Sequence, residues 1–161
     1  MTHRDFNLSV DKYSDNLYRF LLKNIRNEEK AKDLVQESFE KLWINRKKVE
    51  PDKIKSYLFT LAYRTMIDGI RRDKKMAPVP DEQMPEDSYD DQYTGLQEQL
   101  HKAVEKLPDQ QRTVVLLRDY EGYSYKEISE ITNLSEAQVK VYIYRARVFL
   151  KDYIGKIETL I

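Results

Sequence analysis

Apolar residues recur at intervals of three and four along most of the chain. Val10, Tyr13, Leu17, Phe20, Leu21 and Ile25 form one stripe; Ala31, Leu34, Val35, Ser38, Phe39 and Leu42 form a second. Ile54, Tyr57, Leu58, Leu61, Ala62, Ile67 and Ile70 form a third. This is the 3.6-residue period of amphipathic helices packed on one another. Pro51 suits the first turn of the third helix, where its missing N–H costs nothing. The pattern stops at residues 76–95, where three prolines and a run of acids cannot build a core. The spacing therefore predicts an all-α chain of two small helical domains, 5–75 and 96–158, joined by a mobile acidic linker, 76–95.

Helical spacing resumes with Leu96, Leu100, Val104 and Leu107, and Leu107-Pro108-Asp109 breaks it, with Asp109 the expected N-cap of the next helix. Val114, Leu117 and Tyr120 are expected to line that helix, and Gly122 to end it in the left-handed conformation. Ser124 to Glu127 has the capping-box form, with Ile128 and Ile131 behind it. Thr132-Asn133-Leu134 reads as a short turn, and Ser135 to Gln138 as a second capping box. Val139, Ile143, Ala146 and Leu150 follow on one face of the last helix. Residues 122–147 thus have the layout of a helix-turn-helix. Its second helix would expose Gln138, Lys140, Val141, Tyr144 and Arg145 to a major groove, where Arg pairs with guanine and Gln with adenine. The helix N-terminus can also meet a phosphate. A plain helical hairpin in a bundle is the competing reading.

Composition narrows the chemistry. The 161 residues include no cysteine, two histidines and four glycines. Disulfides, thiolate catalysis and Cys-ligated zinc are excluded, and nothing points to a multi-histidine metal site or a phosphate-cradling loop. Neither a metal nor a cofactor is expected. No apolar stretch approaches the ~20 residues that span a bilayer, and the N-terminus has no secretory h-region, so the expected location is the cytoplasm.

Charge is balanced only on average, with 28 basic and 28 acidic residues. Residues 41–75 carry eleven basic against four acidic residues, a net of +7. Residues 76–100 carry seven acids and no Lys or Arg, and residues 137–151 four basic residues and no acid. Two basic surfaces flanking an acidic strip suit phosphate backbone.

Two segments of the first half decide between classes of DNA binder. Asp33-Leu-Val-Gln-Glu-Ser-Phe-Glu-Lys-Leu-Trp43 is followed by Tyr57-Leu-Phe-Thr-Leu-Ala-Tyr-Arg-Thr-Met-Ile-Asp-Gly-Ile-Arg-Arg72. In this order, ahead of an acidic linker and a helix-turn-helix, they resemble the extracytoplasmic-function (ECF) sigma factors of bacterial RNA polymerase, group 4 of the sigma-70 family. Leu107-Pro-Asp-Gln-Gln-Arg112 through Arg147 looks like region 4 of that family, and the resemblance covers nearly the whole chain. It implies a non-catalytic, promoter-specificity subunit whose partners are core RNA polymerase, −10/−35 promoter DNA and an anti-sigma factor. The family often has Trp where Tyr57 stands, Asn where Arg64 stands, and Gly-Thr-Val where Ala137-Gln138-Val139 stands. These departures bear on which bases are preferred.

Three residue sets follow. The resemblance assigns core-polymerase binding to the segment with Asp33, Gln36, Glu37 and Phe39; Glu40 extends the same polar helix face, and Trp43 stands four residues beyond Phe39. Phe39 and Trp43 serve either the domain's own core or a partner. For the −10 element the set is Tyr57, Tyr63, Arg64, Asp68, Arg71, Arg72, Lys74 and Lys75, since aromatics beside cations hold single-stranded DNA. Tyr57 also fits the core stripe, and Arg71 and Arg72 also suit the helix dipole. For the −35 element the set is Ser135, Gln138, Lys140, Val141, Tyr144, Arg145 and Arg147. The linker either tethers the domains, with a reach of ~65–70 Å, or lays its acids in the polymerase's nucleic-acid channel. The competing classes are a free-standing regulator with a LuxR-like helix-turn-helix and a nucleic-acid enzyme. For the latter no carboxylates are arranged with His, Cys or a phosphate loop.

Overall fold

The computed structural model describes residues 1–76 and 95–159. The expected linker falls almost wholly outside the described residues. Seven α-helices are present among them: α1 His3–Ile25, α2 Glu28–Ile44, α3 Ile54–Met76, α4 Leu96–Lys106, α5 Asp109–Val115, α6 Tyr125–Thr132 and α7 Glu136–Thr159.

Local chemistry explains most of their ends. α1 starts earlier than its apolar stripe because Thr2 and Asp5 make a reciprocal capping box. It ends where Arg26 turns left-handed (φ 53°), and Asn27 at once caps α2 by accepting from the Lys30 N–H. The two helices therefore fold back on each other through a two-residue joint. Pro51 opens a short 3-10 turn just ahead of α3. Leu17, Leu21, Ala31, Leu42, Leu58 and Ala62 are fully buried where α1, α2 and α3 meet.

In the second half, α4, α5 and α6 pack against α7 or one another. Asp109 is the first residue of α5 and not its cap; its carboxylate instead accepts from Arg112. α5 widens into a π-helical turn over Leu116–Tyr120, with the Glu121 N–H reaching back to the Leu116 carbonyl. That extra residue shifts the register. Val114, Val115, Leu116 and Leu117 are all buried, while Tyr120, expected to line the helix, is 41% exposed. Gly122 then takes φ +76° as expected. The box of Ser124 with Glu127 forms, and Asn133 makes the left-handed turn (φ 63°) into α7.

The two halves share one apolar core. Phe59 of α3 packs edge-on against Tyr123 (centroids 5.6 Å apart) and at a tilt against Phe20 of α1 (5.4 Å). A buried polar knot lies beside it, described below.

Candidate functional surfaces

The first surface is a groove of about 810 Å³ between α1 and α2. Its apolar lining is Phe6, Val10, Val35, Phe39, Trp43 and Ile44. Ile44 is 73% exposed, a large apolar side chain left in water at the end of α2. Trp43 is held from three sides: by Phe6 (5.0 Å), His3 (4.6 Å) and the Arg46 guanidinium (4.1 Å). Phe39 is buried and meets Phe6 edge-on, so it serves the domain's own core as well as the groove floor. Gln36 and Glu40 also line the groove and hydrogen-bond to each other at 3.3 Å. Such a groove accepts the apolar face of a partner helix.

The remaining members of that predicted set lie apart. Glu37 pairs with Lys41 (3.4 Å), whose ammonium also donates to Thr65 of α3. Asp33 lines a different groove, with Asn27, Lys30, Thr65, Gly69 and Asp73. Sequence reasoning missed His3, Phe6 and Ile44. Phe6, Val10 and Tyr13 do stand at helical spacing, which is the signal that extends the first stripe back by one turn.

The second surface is α3. Tyr57, Arg64, Asp68 and Arg71 are spaced seven, four and three apart and share one face. Arg64, Asp68, Arg71 and Arg72 are exposed and Tyr57 is half-buried. Tyr63 is turned elsewhere: burial raises its phenol above the ordinary range, and Asp109 of the other half adds to the effect. The side chains of Lys74 and Lys75 lie outside the described residues.

The third surface is the first half of α7. Ser135 and Gln138 form the predicted reciprocal cap, with both hydrogen bonds near 3 Å. The Gln138 amide oxygen is thereby engaged, which leaves its NH₂ as the group facing outward and disfavours a bidentate adenine pair. Lys140, Val141, Tyr144 and Arg145 are exposed together, Tyr144 at 70%. Arg147 is tied to Asp119 through two hydrogen bonds (2.5 and 3.3 Å) and is the least free of the predicted set. Lys140 stands 5.7 Å from the Tyr125 ring centroid.

Between these surfaces sits the polar knot. Arg112, 7% exposed, uses every N–H it has. Nε donates to Asn24 Oδ1, Nη1 to the Glu105 and Leu107 carbonyls, and Nη2 to the Asn24 carbonyl and Asp109 Oδ1. The Thr113 hydroxyl donates to the same Asn24 Oδ1. Arg26 adds a bond to the Glu105 carbonyl. No group of three or more metal-ligating side chains occurs among the described residues, and no described helix is long and apolar enough to cross a membrane.

Both halves of the chain match known proteins. Residues 10–76 match the family model for sigma-70 region 2, and residues 97–150 that for sigma-70 region 4. The chain is 31% identical to RNA polymerase sigma factor SigV of Bacillus subtilis, over 91% of this chain and 89% of that one. It is 32% identical to ECF RNA polymerase sigma factor SigM of the same organism, over 86% and 88% respectively. Its fold resembles that of the sigma factor RpoE from Bartonella quintana, solved with the anti-sigma factor NepR. That likeness has a TM-score of 0.75 at 23% identity and covers 94% of this chain and 98% of that one.

Proposed function

The chain belongs to the sigma-70 family as an ECF RNA polymerase sigma factor, and from that premise we propose how its surfaces divide promoter selection. It is a promoter-specificity subunit that binds bacterial core RNA polymerase and directs initiation at −10 and −35 elements. In this proposal the chain contributes no chemistry of its own and works in the cytoplasm, beside the polymerase.

The groove of Phe6, Phe39, Trp43 and Ile44, flanked by Gln36 and Glu40, receives an apolar helix of the core enzyme. Asp33 and Glu37 contribute charge from neighbouring faces. α3 holds the separated −10 strand through Tyr57, Arg64, Asp68, Arg71 and Arg72, with Lys74 and Lys75 continuing the basic run and Tyr63 joining once its surroundings open. α7 reads the −35 duplex through Lys140, Val141, Tyr144 and Arg145; Ser135 and Gln138 set the helix start, and Arg147 fixes its azimuth through Asp119. An anti-sigma factor is the proposed regulator.

The observation that carries this division is the pairing, in one chain, of an exposed apolar groove on the region 2 half with an exposed basic and aromatic face on the region 4 half. The experiment is co-elution of the chain with sigma-free core polymerase on a sizing column. A stable one-to-one complex, lost in Ile44→Asp and kept in Arg145→Ala, supports the division. Tight duplex binding by the free chain without any core complex would instead favour a free-standing regulator.

A further inference from the structure

A small cavity of about 70 Å³ lies where α1 faces the π turn of the other half. Its polar lining is Asn16, Arg19 and Lys23 from α1, with Tyr120 and Glu121 opposite. Its floor is apolar, since Phe20 and Leu116 are buried. The half-buried Lys23 ammonium lies 3.8 Å over the Tyr120 ring and makes no hydrogen bond among the described residues. Burial and the neighbouring Arg19 push its pKa below the ordinary lysine value. Glu121, also half-buried, faces Lys55, Arg19 and Lys23. Its carboxylate closes no ion pair with them among the described residues, and burial holds its pKa above the ordinary range. Partly desolvated charges of opposite sign are stable when they meet. Here they flank a gap the size of a small ion.

The donors and acceptors around the gap say which ion fits. Arg19 spends Nη2 on Asp15 (3.3 Å) and on Asn16 Oδ1 (2.6 Å), so its Nε and Nη1 remain as donors. Asn16, with its oxygen engaged, offers its NH₂, and Lys23 offers its ammonium. An ionised Glu121 can only accept. Three donor groups and one acceptor match an oxyanion that still carries a proton. The donors take its bare oxygens and Glu121 takes its O–H. Inorganic phosphate keeps at least one proton at neutral pH. Sulfate and a phosphodiester keep none, and each would set an oxygen against the Glu121 carboxylate. A nucleotide needs a pocket of about 300 Å³ or more.

We propose that this cavity is a binding site for inorganic phosphate, with Asn16, Arg19 and Lys23 donating to its oxygens and Glu121 accepting from its O–H. One half supplies the donors and the other the acceptor, so the site is complete while the halves are packed together and is split when they part. Phosphate binding and packing of the halves therefore favour each other. The site stands whether or not the chain serves a polymerase.

The test titrates inorganic phosphate into the full chain at constant ionic strength and follows the phosphorus NMR line width. Saturable broadening is expected below about 10 mM phosphate, with sulfate competing about tenfold more weakly. Lys23→Met, which keeps an unbranched stem over Tyr120, and Arg19→Gln each weaken binding by about tenfold. The Arg19 side chain is 58% exposed, so Arg19→Gln decides alone should Lys23→Met fail to fold. Glu121→Gln, whose amide can donate, lets sulfate compete as well as phosphate. Lys47→Gln removes an exposed cation that does not line the cavity and leaves binding unchanged. The proposal is overturned if the unaltered chain gives no saturable broadening, or if sulfate competes with phosphate on equal terms. It is equally overturned if binding survives Arg19→Gln and Lys23→Met in chains that circular dichroism shows to be folded, or if Glu121→Gln still excludes sulfate.

Discussion

Replacing Arg112 by Met keeps the volume of a long side chain and deletes all five donors at once. The cost can be worked from the hydrogen bonds. Asp109 is 64% exposed at its side chain and turns to water. The Glu105 carbonyl keeps Arg26, and Asn24 Oδ1 keeps the Thr113 hydroxyl. That leaves the Asn24 and Leu107 carbonyls without their Arg112 donors, at about 1–3 kcal/mol each. Relief of the guanidinium's own desolvation offsets part of this, so the expected loss is about 3 kcal/mol. With a urea slope of about 1–3 kcal/mol per molar for a chain of this size, the midpoint falls by about 1–3 M. Trp43 is the only tryptophan in the chain and sits in the first half, so its fluorescence reports that half alone. Far-ultraviolet circular dichroism reports both. In the unaltered chain the two transitions coincide. In Arg112→Met the dichroism transition moves first, and Trp43 follows by a smaller amount because, of the bonds Arg112 makes, only those to Asn24 cross between halves. Arg112→Lys, with three donors that cannot fork, falls between. A midpoint shift under about 0.3 M, or transitions that never coincide in the unaltered chain, would refute the reading that the Arg112 bonds to Asn24 help to join the halves.

Four further outcomes rest on the same geometry. Trp43→Ala should weaken core-polymerase binding by about 2 kcal/mol, roughly thirtyfold, by removing an aromatic anchor from the groove; titration against labelled core measures it. Arg145→Ala should reduce holoenzyme binding to a −35 duplex by about 1–3 kcal/mol with core affinity unchanged. Arg147→Ala should cost little stability, because its partner Asp119 is exposed and turns to water; a large fall in melting temperature would count against this. Glu121 supplies a pH dependence. Its carboxyl is raised above 4.5 by burial, against the pull of Lys55, Arg19 and Lys23. The closed chain therefore holds that proton more tightly than the open one, and closure gains as pH falls through the raised value towards 4.5. Förster transfer between labels on the two halves should rise over that window, and Glu121→Gln should remove the change.

Much of the architecture is legible in local chemistry. The three apolar stripes of the first half and the alternation of capping boxes, Gly122 and Asn133 in the second are properties of neighbours in sequence. Most of the helices they imply are observed, the exception being the one that widens into a π turn after Val115. The exposed face of α7 is legible for the same reason, since burying Val139, Ile143 and Ala146 leaves Lys140, Val141, Tyr144 and Arg145 no other direction. Periodicity failed where a helix changed its pitch. The π turn at Leu116–Tyr120 carries no sequence mark that the spacing analysis could use, and it turned Tyr120 outward.

What the amino-acid sequence determined alone is the set of helices, their inward faces and the family to which the chain belongs, because each depends on residues three to five apart or on motifs in fixed order. The tertiary structure decided which polar residues meet. Arg112 stands in the Leu-Pro-Asp-Gln-Gln-Arg motif, and Asn24 near the end of a helix 88 positions earlier, with nothing in their local spacing to pair them. The same holds for Phe6 with Trp43, and for Glu121 and Tyr123 with the lysines of the opposite half. Such contacts depend on how packed helices are placed, and a pattern of period 3.6 says which face of a helix is covered without saying what covers it.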